Sequence, residues 1–237
     1  MCTLALEFKP QSKWPVVVAA NRDEMLDRPS KGPFVWPQGF LAPRDERAGG
    51  TWLGVTRNGM FVGVTNRFPT VRDAARSSRG ELVALSLEAS SARGLHEQLS
   101  AVEPTRYNAF HLMYADLHDA FITWSDGAQL HRKVLEPGLH VVTERSFGGG
   151  DGARVAVVKS SWPKAPDAEA LERLLRFKAE NPIEGTYVFA PDFNYGTRSS
   201  MVLLLGRQKA DSRLYWAEGQ PPNPPPFVER ADLLAQL

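Results

Sequence analysis

Two short apolar runs, Thr51–Thr56 (TWLGVT) and Met60–Thr65 (MFVGVT), stand on either side of Arg57-Asn58-Gly59. Each is rich in β-branched and aromatic residues, and Asn-Gly accepts the positive φ angles of a type I′ turn. Strands joined by so short a link are antiparallel neighbours, because a parallel pair needs a crossover of a dozen residues or more. This stretch therefore commits the chain to sheet built from hairpins.

A second hairpin opens the chain. Leu4 and Leu6 alternate with Thr3, Ala5 and Glu7 up to Phe8, the two-residue period of a half-buried strand. Lys9 to Trp14, with Pro10 and Pro15 at its ends, reads as a turn, and Pro15–Ala20 (PVVVAA) as a strand buried on both faces. A meander of strands is expected over 108–114, 120–124, 130–135 and 139–143, with two late strands over 199–205 and 213–217. Helices are expected over 78–99, with Ser77 or Ser78 as N-cap, over 153–159 and over 167–180. Pro221 to Pro226 reads as a stiff extended tail before a short terminal helix. This order predicts an α+β fold with helices packed outside antiparallel sheets, not a βαβ array.

At 237 residues the chain fits a single domain, 1–237, whose Pro-rich tail covers 219–237. Lys plus Arg number 28 against 27 for Asp plus Glu, a net charge of +1 without the basic stripe that a nucleic-acid partner requires. No apolar run approaches the ~20 residues of a membrane helix. The opening MCTLALEFKPQSKWP lacks the apolar core of a secretion signal, and one cysteine excludes an internal disulfide or a CxxC zinc site. A cytoplasmic protein is expected. His96, His111, His118, His131 and His140 show no metal-ligand spacing within one element, so no metal is expected, although one histidine could still ligate haem iron. Gly148-Gly-Gly-Asp-Gly-Ala153 satisfies G-x-G-x-x-A, but outside a βαβ unit it reads as a flexible loop edging a pocket.

Chemistry is expected where the first hairpin ends. If Phe8 pairs with Pro15, the same register pairs Cys2 with Asn21, and a slip of one or two residues moves the partner only to Ala20, Arg22 or Asp23. The thiol then lies beside Asn21-Arg22-Asp23-Glu24. The second hairpin, read in the same way, pairs Thr51 with Asn66 at the end of its strand. Removal of Met1 frees an α-amine on Cys2 with a reference pKa of about 7.7–8.0, a general base for its own side chain. A guanidinium nearby favours thiolate, a carboxylate holds the amine, and an Asn amide donates to a developing oxyanion. Cys2, Arg22, Asp23 and Asn66 offer one candidate for each role. The plainer alternative is that Cys2 is a small buried hydrophobe and that the polar run after Ala20 is a solvated turn. Trp52 is the expected pocket wall among six scattered tryptophans.

Met1-Cys-Thr-Leu4, Ala20-Asn-Arg-Asp-Glu24, Gly50-Thr-Trp-Leu-Gly54, Asn58-Gly59, Thr65-Asn-Arg67, Ser78-Arg-Gly80 and Tyr195-Gly-Thr-Arg-Ser199 occur in order along most of the chain. As a set they resemble the NRDE family, also called the transport and Golgi organisation protein 2 family. That family is distantly similar to the cysteine N-terminal-nucleophile amidases, among them bile-salt hydrolases, penicillin V acylases and acid ceramidase. The resemblance implies a four-layer αββα sandwich and a cofactor-free amidase acting on linear C–N bonds. Cys2 resembles the nucleophile, Arg22 and Asp23 the arginine and aspartate that tune it, Asn66 the oxyanion asparagine and Arg198 a late charge-stabilising arginine. Asn21, Glu24, Thr51, Trp52 and Glu144 are the accompanying candidates for substrate binding. Glu144 departs from the pattern, since the amidases tend to carry Asn after the Thr of a strand resembling Val141-Val-Thr143, and a carboxylate there repels an oxyanion. The family's association with haem trafficking and acyl-lipid metabolism implies the rival role, a carrier that holds haem or an acyl ligand without turnover.

Overall fold

Two antiparallel sheets of seven strands each lie at the centre of the structure, a computed structural model describing residues 2–68, 72–147, 150–219, 222 and 224–237. In chain order the first six strands are β1 (Thr3–Phe8), β2 (Val16–Met25), β3 (Ser30–Val35), β4 (Phe40–Asp45), β5 (Leu53–Thr56) and β6 (Phe61–Asn66). Helices α1 (Arg79–Ser86) and α2 (Ala92–Gln98) precede β7 (Phe110–Ala115), β8 (Ala120–Ser125), β9 (Leu130–Val134) and β10 (Gly138–Val142). Then come α3 (Ala153–Ser161), α4 (Ala168–Leu175), β11 (Phe189–Ala190), β12 (Tyr195–Leu205), β13 (Arg213–Glu218), β14 (Val228–Glu229) and α5 (Ala231–Gln236). One sheet runs β10-β1-β2-β12-β13-β14, with β11 also on β12, and the other is the meander β3-β4-β5-β6-β7-β8-β9.

Strand alternation assigns each side chain to a layer. Leu4, Leu6, Val18, Met201 and Leu203 of the first sheet meet Leu53, Val55, Phe61, Met113 and Ile122 of the second in the central core. Their sequence neighbours face outward: Ala5, Val17, Ala19, Val202 and Leu204 pack under α3 and α4, and Val62, Leu112 and Tyr114 under α1 and α2. The result is the expected αββα sandwich, with apolar residues on both faces of the central strands because both faces are covered. Among the described residues no helix is long and apolar enough to cross a membrane.

Several elements differ from expectation for local reasons. The turn at Arg57-Asn58-Gly59 is a three-residue link: Thr56 N–H bonds the Met60 carbonyl and Gly59 N–H the Thr56 carbonyl. Only Gly59 has positive φ, at 76°, so the turn is type I closed by a left-handed glycine, not type I′. The added residue sets Leu53 against Gly63, and the ladder has ended before Asn66, which pairs instead with Phe110. In the first hairpin Phe8 pairs with Val16 and Thr3 with Asn21, one residue from the expected register, so Cys2 comes opposite Arg22. β3 and β4 were hidden by Gly32, Pro33 and Pro43. Pro33 falls in the register shift between Lys31 and Phe34, and Pro43 lies past Leu41, where pairing with β5 stops, so no ladder bond is lost.

The single helix expected over 78–99 is two. The chain leaves α1 after Ser86, and Ser91 starts α2 by accepting the Gly94 N–H. α4 stops at Leu175, short of 180, because Thr186 Oγ1 donates to the Leu174 carbonyl at 2.5 Å and Asn21 Nδ2 to that of Leu175 at 2.9 Å. β10 leaves the expected meander and crosses to pair with β1 in the other sheet. Of the glycine-rich loop, residues 148 and 149 lie outside the described residues, as do residues 220, 221 and 223 of the Pro-rich tail and Met1.

Candidate active site

β2 does not turn after Ala20. It continues through Asn21-Arg22-Asp23-Glu24 as paired strand, held by β12 on its other side, and Asn21, Arg22 and Asp23 are all buried. A strand places alternate residues on opposite faces, so this polar run splits in two. Arg22 shares the inner face with Ala20 and, across the pair, with Cys2. Its Nη2 donates to Asp45 Oδ2 at 2.8 Å, and its guanidinium lies 4.4 Å from the centre of the Trp52 ring. Arg28 Nε donates to the same carboxylate oxygen at 2.7 Å. Burial pushes the Asp45 carboxyl up, but the bonds from Arg28 and the Ala48 N–H, with the charges of Arg28 and Arg22, more than offset this and hold it below its ordinary value.

Asn21 and Asp23 face the helices. Asn21 donates to the carbonyls of Leu175 and Thr186 and so ends α4. The Asp23 carboxylate accepts from Thr197 Oγ1 at 2.7 Å and from Arg154 Nη1 of α3 at 3.1 Å. Its carbonyl accepts from the Tyr195 hydroxyl at 2.8 Å and lies 3.9 Å from Cys2 Sγ. Burial raises the Asp23 carboxyl despite the Arg154 charge. Burial also pushes the Cys2 thiol up, the Asp23 charge adds to this, and Arg22 offsets only part.

The opposite wall of the site is made by two glycine-bearing segments in backbone contact. A Cβ on Gly50 would lie 2.4 Å from the carbonyl carbon of Gly80, and Thr51 N–H bonds the Gly80 carbonyl at 3.1 Å. No larger residue at 50 permits this approach. Thr51 is buried, its hydroxyl donating to the Leu53 carbonyl. The contact sets Ser78-Arg79-Gly80, at the start of α1, beside the end of β6. Asn66 there is exposed, and its side-chain amide makes no hydrogen bond to a described residue. Phe68 N–H bonds the Glu144 carbonyl at 2.7 Å, which brings the segment after β10 to the same edge.

A cleft of about 480 Å³ lies between these walls. Of the expected residues, Cys2, Arg22, Asp23, Glu24, Thr51, Trp52, Asn66 and Glu144 line it. Asn21 and Arg198 do not. Asn21 is turned to the outer face by strand alternation, and Arg198 is the extra residue of a bulge between Thr197 and Ser199, its Nη1 donating to the Leu26 carbonyl at 2.6 Å. None of the five histidines lines the cleft. Sequence reading passed over Arg28, in the link between β2 and β3, Asp45 in β4 and Arg154 in α3, none of which has a local pattern announcing a site. It quoted Arg79 within Ser78-Arg-Gly80 without assigning it a role. Its proximity to Thr51 is a tertiary contact carried by two glycines.

Residues 1–179 match the family described as Transport and Golgi organisation 2. A human transport and Golgi organization protein 2 homolog is 32% identical over 173 residues, the match covering 69% of this chain and 60% of that protein. A mouse homolog is 27% identical over 177 residues with the same coverage, so the match spans about 60% of the length of these relatives. Among solved structures, a Caenorhabditis elegans N-acylethanolamine-hydrolyzing acid amidase ortholog superposes with a TM-score of 0.57 at 12% identity, over 86% of this chain and 92% of that one. A variant of conjugated bile acid hydrolase from Clostridium perfringens gives 0.57 at 10% identity, over 98% of this chain and 93% of its own. These likenesses show that the chain shares the fold of these two proteins. The chain belongs to the Transport and Golgi organisation 2 family.

Proposed function

We propose that this protein is a cysteine N-terminal-nucleophile hydrolase that cleaves a linear amide C–N bond once Met1 has been removed. The observation that carries the reading is the position of Cys2 at the mouth of β1, across from Arg22 and opening into a cleft that also presents the Asn66 amide, which bonds no described residue. In the proposed reaction Cys2 Sγ attacks the carbonyl carbon and its proton passes to the freed α-amine. Asn66 donates to the oxyanion of the tetrahedral intermediate. Collapse breaks the C–N bond, the proton moves to the leaving amine, and the acyl group remains as a thioester. Water, activated by the same amine, then releases the acid and restores the thiol. Arg22 biases Cys2 towards thiolate, and Asp23 fixes the end of the strand through its carbonyl contacts. Arg198 lies outside the cleft and enters no step.

Intact mass spectrometry before and after treatment with a penicillin-type acylating agent tests the reading. A mass lacking Met1, together with an adduct on Cys2 that Cys2→Ser abolishes, is the expected result. A mass retaining Met1 with no adduct overturns it. One observation favours the second reading, a carrier that binds an acyl ligand without turnover. Glu144 lines the cleft with a buried Oε2 that has no hydrogen-bond partner among the described residues, and a carboxylate in the same cleft as the thiol opposes a developing oxyanion. The lining fits haem less well. It offers iron one thiol, no imidazole and no thioether, between charged walls.

A further inference from the structure

The cleft holds more cationic charge than its reaction uses. Six arginines line it, and most of its carboxylates are already matched. Asp45 is shared by Arg22 and Arg28 at 2.8 and 2.7 Å, and Glu24 lies 3.8 Å from each of the same two arginines. Asp73 lies 3.6 Å from Arg76. Asp23 spends its charge on Arg154, on the far face of the sheet. Glu144 is the carboxylate left over. Against it stand Arg72 and Arg79, neither of which forms an ion pair among the described residues. Arg79 Nη1 donates only to the Ala109 carbonyl at 3.0 Å. Burial first, and the charge of Arg72 next, make the Arg79 guanidinium harder to keep charged, while Cys2 and Glu24 favour its charge. These groups are therefore near enough to feel one another.

A second observation points into the same space. Arg22 is 5% exposed, and its Nη1 has no hydrogen-bond partner among the described residues although the residue lines the cleft. A buried guanidinium N–H left unpaired costs the fold, and a ligand acceptor in the cleft relieves that cost. The start of α1, capped by Ser78, adds the positive end of a helix dipole to the same wall.

We infer that the cleft contains an oxyanion subsite, formed by Arg79 at the start of α1 and Arg72 in the segment before it, with Arg22 Nη1 deeper in, and that its ligand is an amide carrying a carboxylate or phosphate group near the reactive carbonyl. The assignment of an amide rests on the hydrolase reading. The anion subsite stands on the charge arrangement alone. Guanidinium groups bind both oxyanions through paired N–H donors, so the chemistry is shared and experiment separates the two sources.

Cys2 is the only cysteine in the chain, so its alkylation reports the site directly. The rate constant for the anionic reagent iodoacetate is divided by that for neutral iodoacetamide. The ratio cancels the thiolate fraction and reads local charge. The folded protein is expected to give a ratio about tenfold above that of the urea-unfolded chain, the low end of electrostatic focusing by charges lining a cleft. Arg79→Gln and Arg72→Gln should each lower it several-fold. Arg72→Gln, at an exposed residue with no ion pair, serves should Arg79→Gln fail to fold. At constant ionic strength inorganic phosphate, acetate or both should slow alkylation by iodoacetamide: phosphate alone assigns a phosphate group, acetate alone a carboxylate, and both a general oxyanion site. A folded ratio no higher than the unfolded one, a ratio unmoved by both substitutions, or protection by neither anion overturns the subsite. Anion preference without any acyl adduct on Cys2 would keep the subsite and remove the amidase. An adduct without anion preference would do the reverse.

Discussion

Arg154 reaches from α3 through the first sheet's outer layer to the Asp23 carboxylate, and both side chains are withdrawn from water, at 5% and 0% exposure. Such a pair contributes little net stability when intact, yet losing one partner strands a buried charge. Arg154→Met is therefore expected to cost about 3–5 kcal/mol at neutral pH by urea unfolding. Without its guanidinium the Asp23 carboxyl moves further up, and the folded state takes up its proton more readily than the unfolded chain does. The deficit should then shrink as pH falls, and a deficit independent of pH would show that the pair is not what Arg154 supplies. Neither partner is separable from a surface charge in the sequence alone. Asp23 looks like its neighbours Arg22 and Glu24 until alternation sends it to the opposite face from Arg22.

At the scale of elements, the contact between Gly50 and Gly80 decides the shape of the cleft. It fixes the start of α1 against the approach to β5 and so carries Arg79 to the site. Gly50→Ala inserts a methyl 2.4 Å from backbone atoms that have no rotamer to give. The expected loss is about 3 kcal/mol, read as a lowered urea midpoint. A loss under about 0.5 kcal/mol, the range of an indifferent surface change, would mean that α1 shifts without cost. Most elements were legible because strand and helix periods differ, and both hairpins were found from their turns. The errors lie where a local signal is ambiguous by one residue. Asn58-Gly59 suits a two-residue or a three-residue link, and only the cross-strand bonds choose. The stretch from Ser78 to Leu99 has one apolar pattern, and Ser91 interrupts it with a new cap.

For the whole molecule, His111 joins the two sheets. Its Nδ1 accepts from Thr65 Oγ1 at 3.1 Å within the second sheet, and its Nε2–H donates at 2.7 Å to the Ser146 carbonyl in the segment after β10 of the first. Acceptance at Nδ1 requires the neutral ring, and burial, with the Arg67 charge, pushes its pKa down to about 4 against the bond to Ser146, which the charged ring would also make. The unfolded chain binds this proton near pH 6.5 and the folded protein does not, so stability falls as pH drops from about 6.5 towards about 4, by roughly 3 kcal/mol from this group. Urea midpoints measured across that window should fall in the wild type and flatten in His111→Gln. Parallel decline in both would assign the pH dependence elsewhere.

Periodicity, turn residues and the order of motifs were enough to determine antiparallel sheets, outer helices, and a thiol beside a polar strand end, because each depends on neighbours within a few residues. Tertiary structure decided the rest. A register slip of one residue turned Arg22, not Asn21, towards Cys2, since a strand reverses its side chains at every step. Two glycines in contact brought Arg79 to the cleft, and Arg154 and Asp45 found their partners across sheets and helices far apart in sequence. Burial then set the protonation of Cys2, Asp23 and His111, and it depends on what packs over a residue after the whole chain has folded.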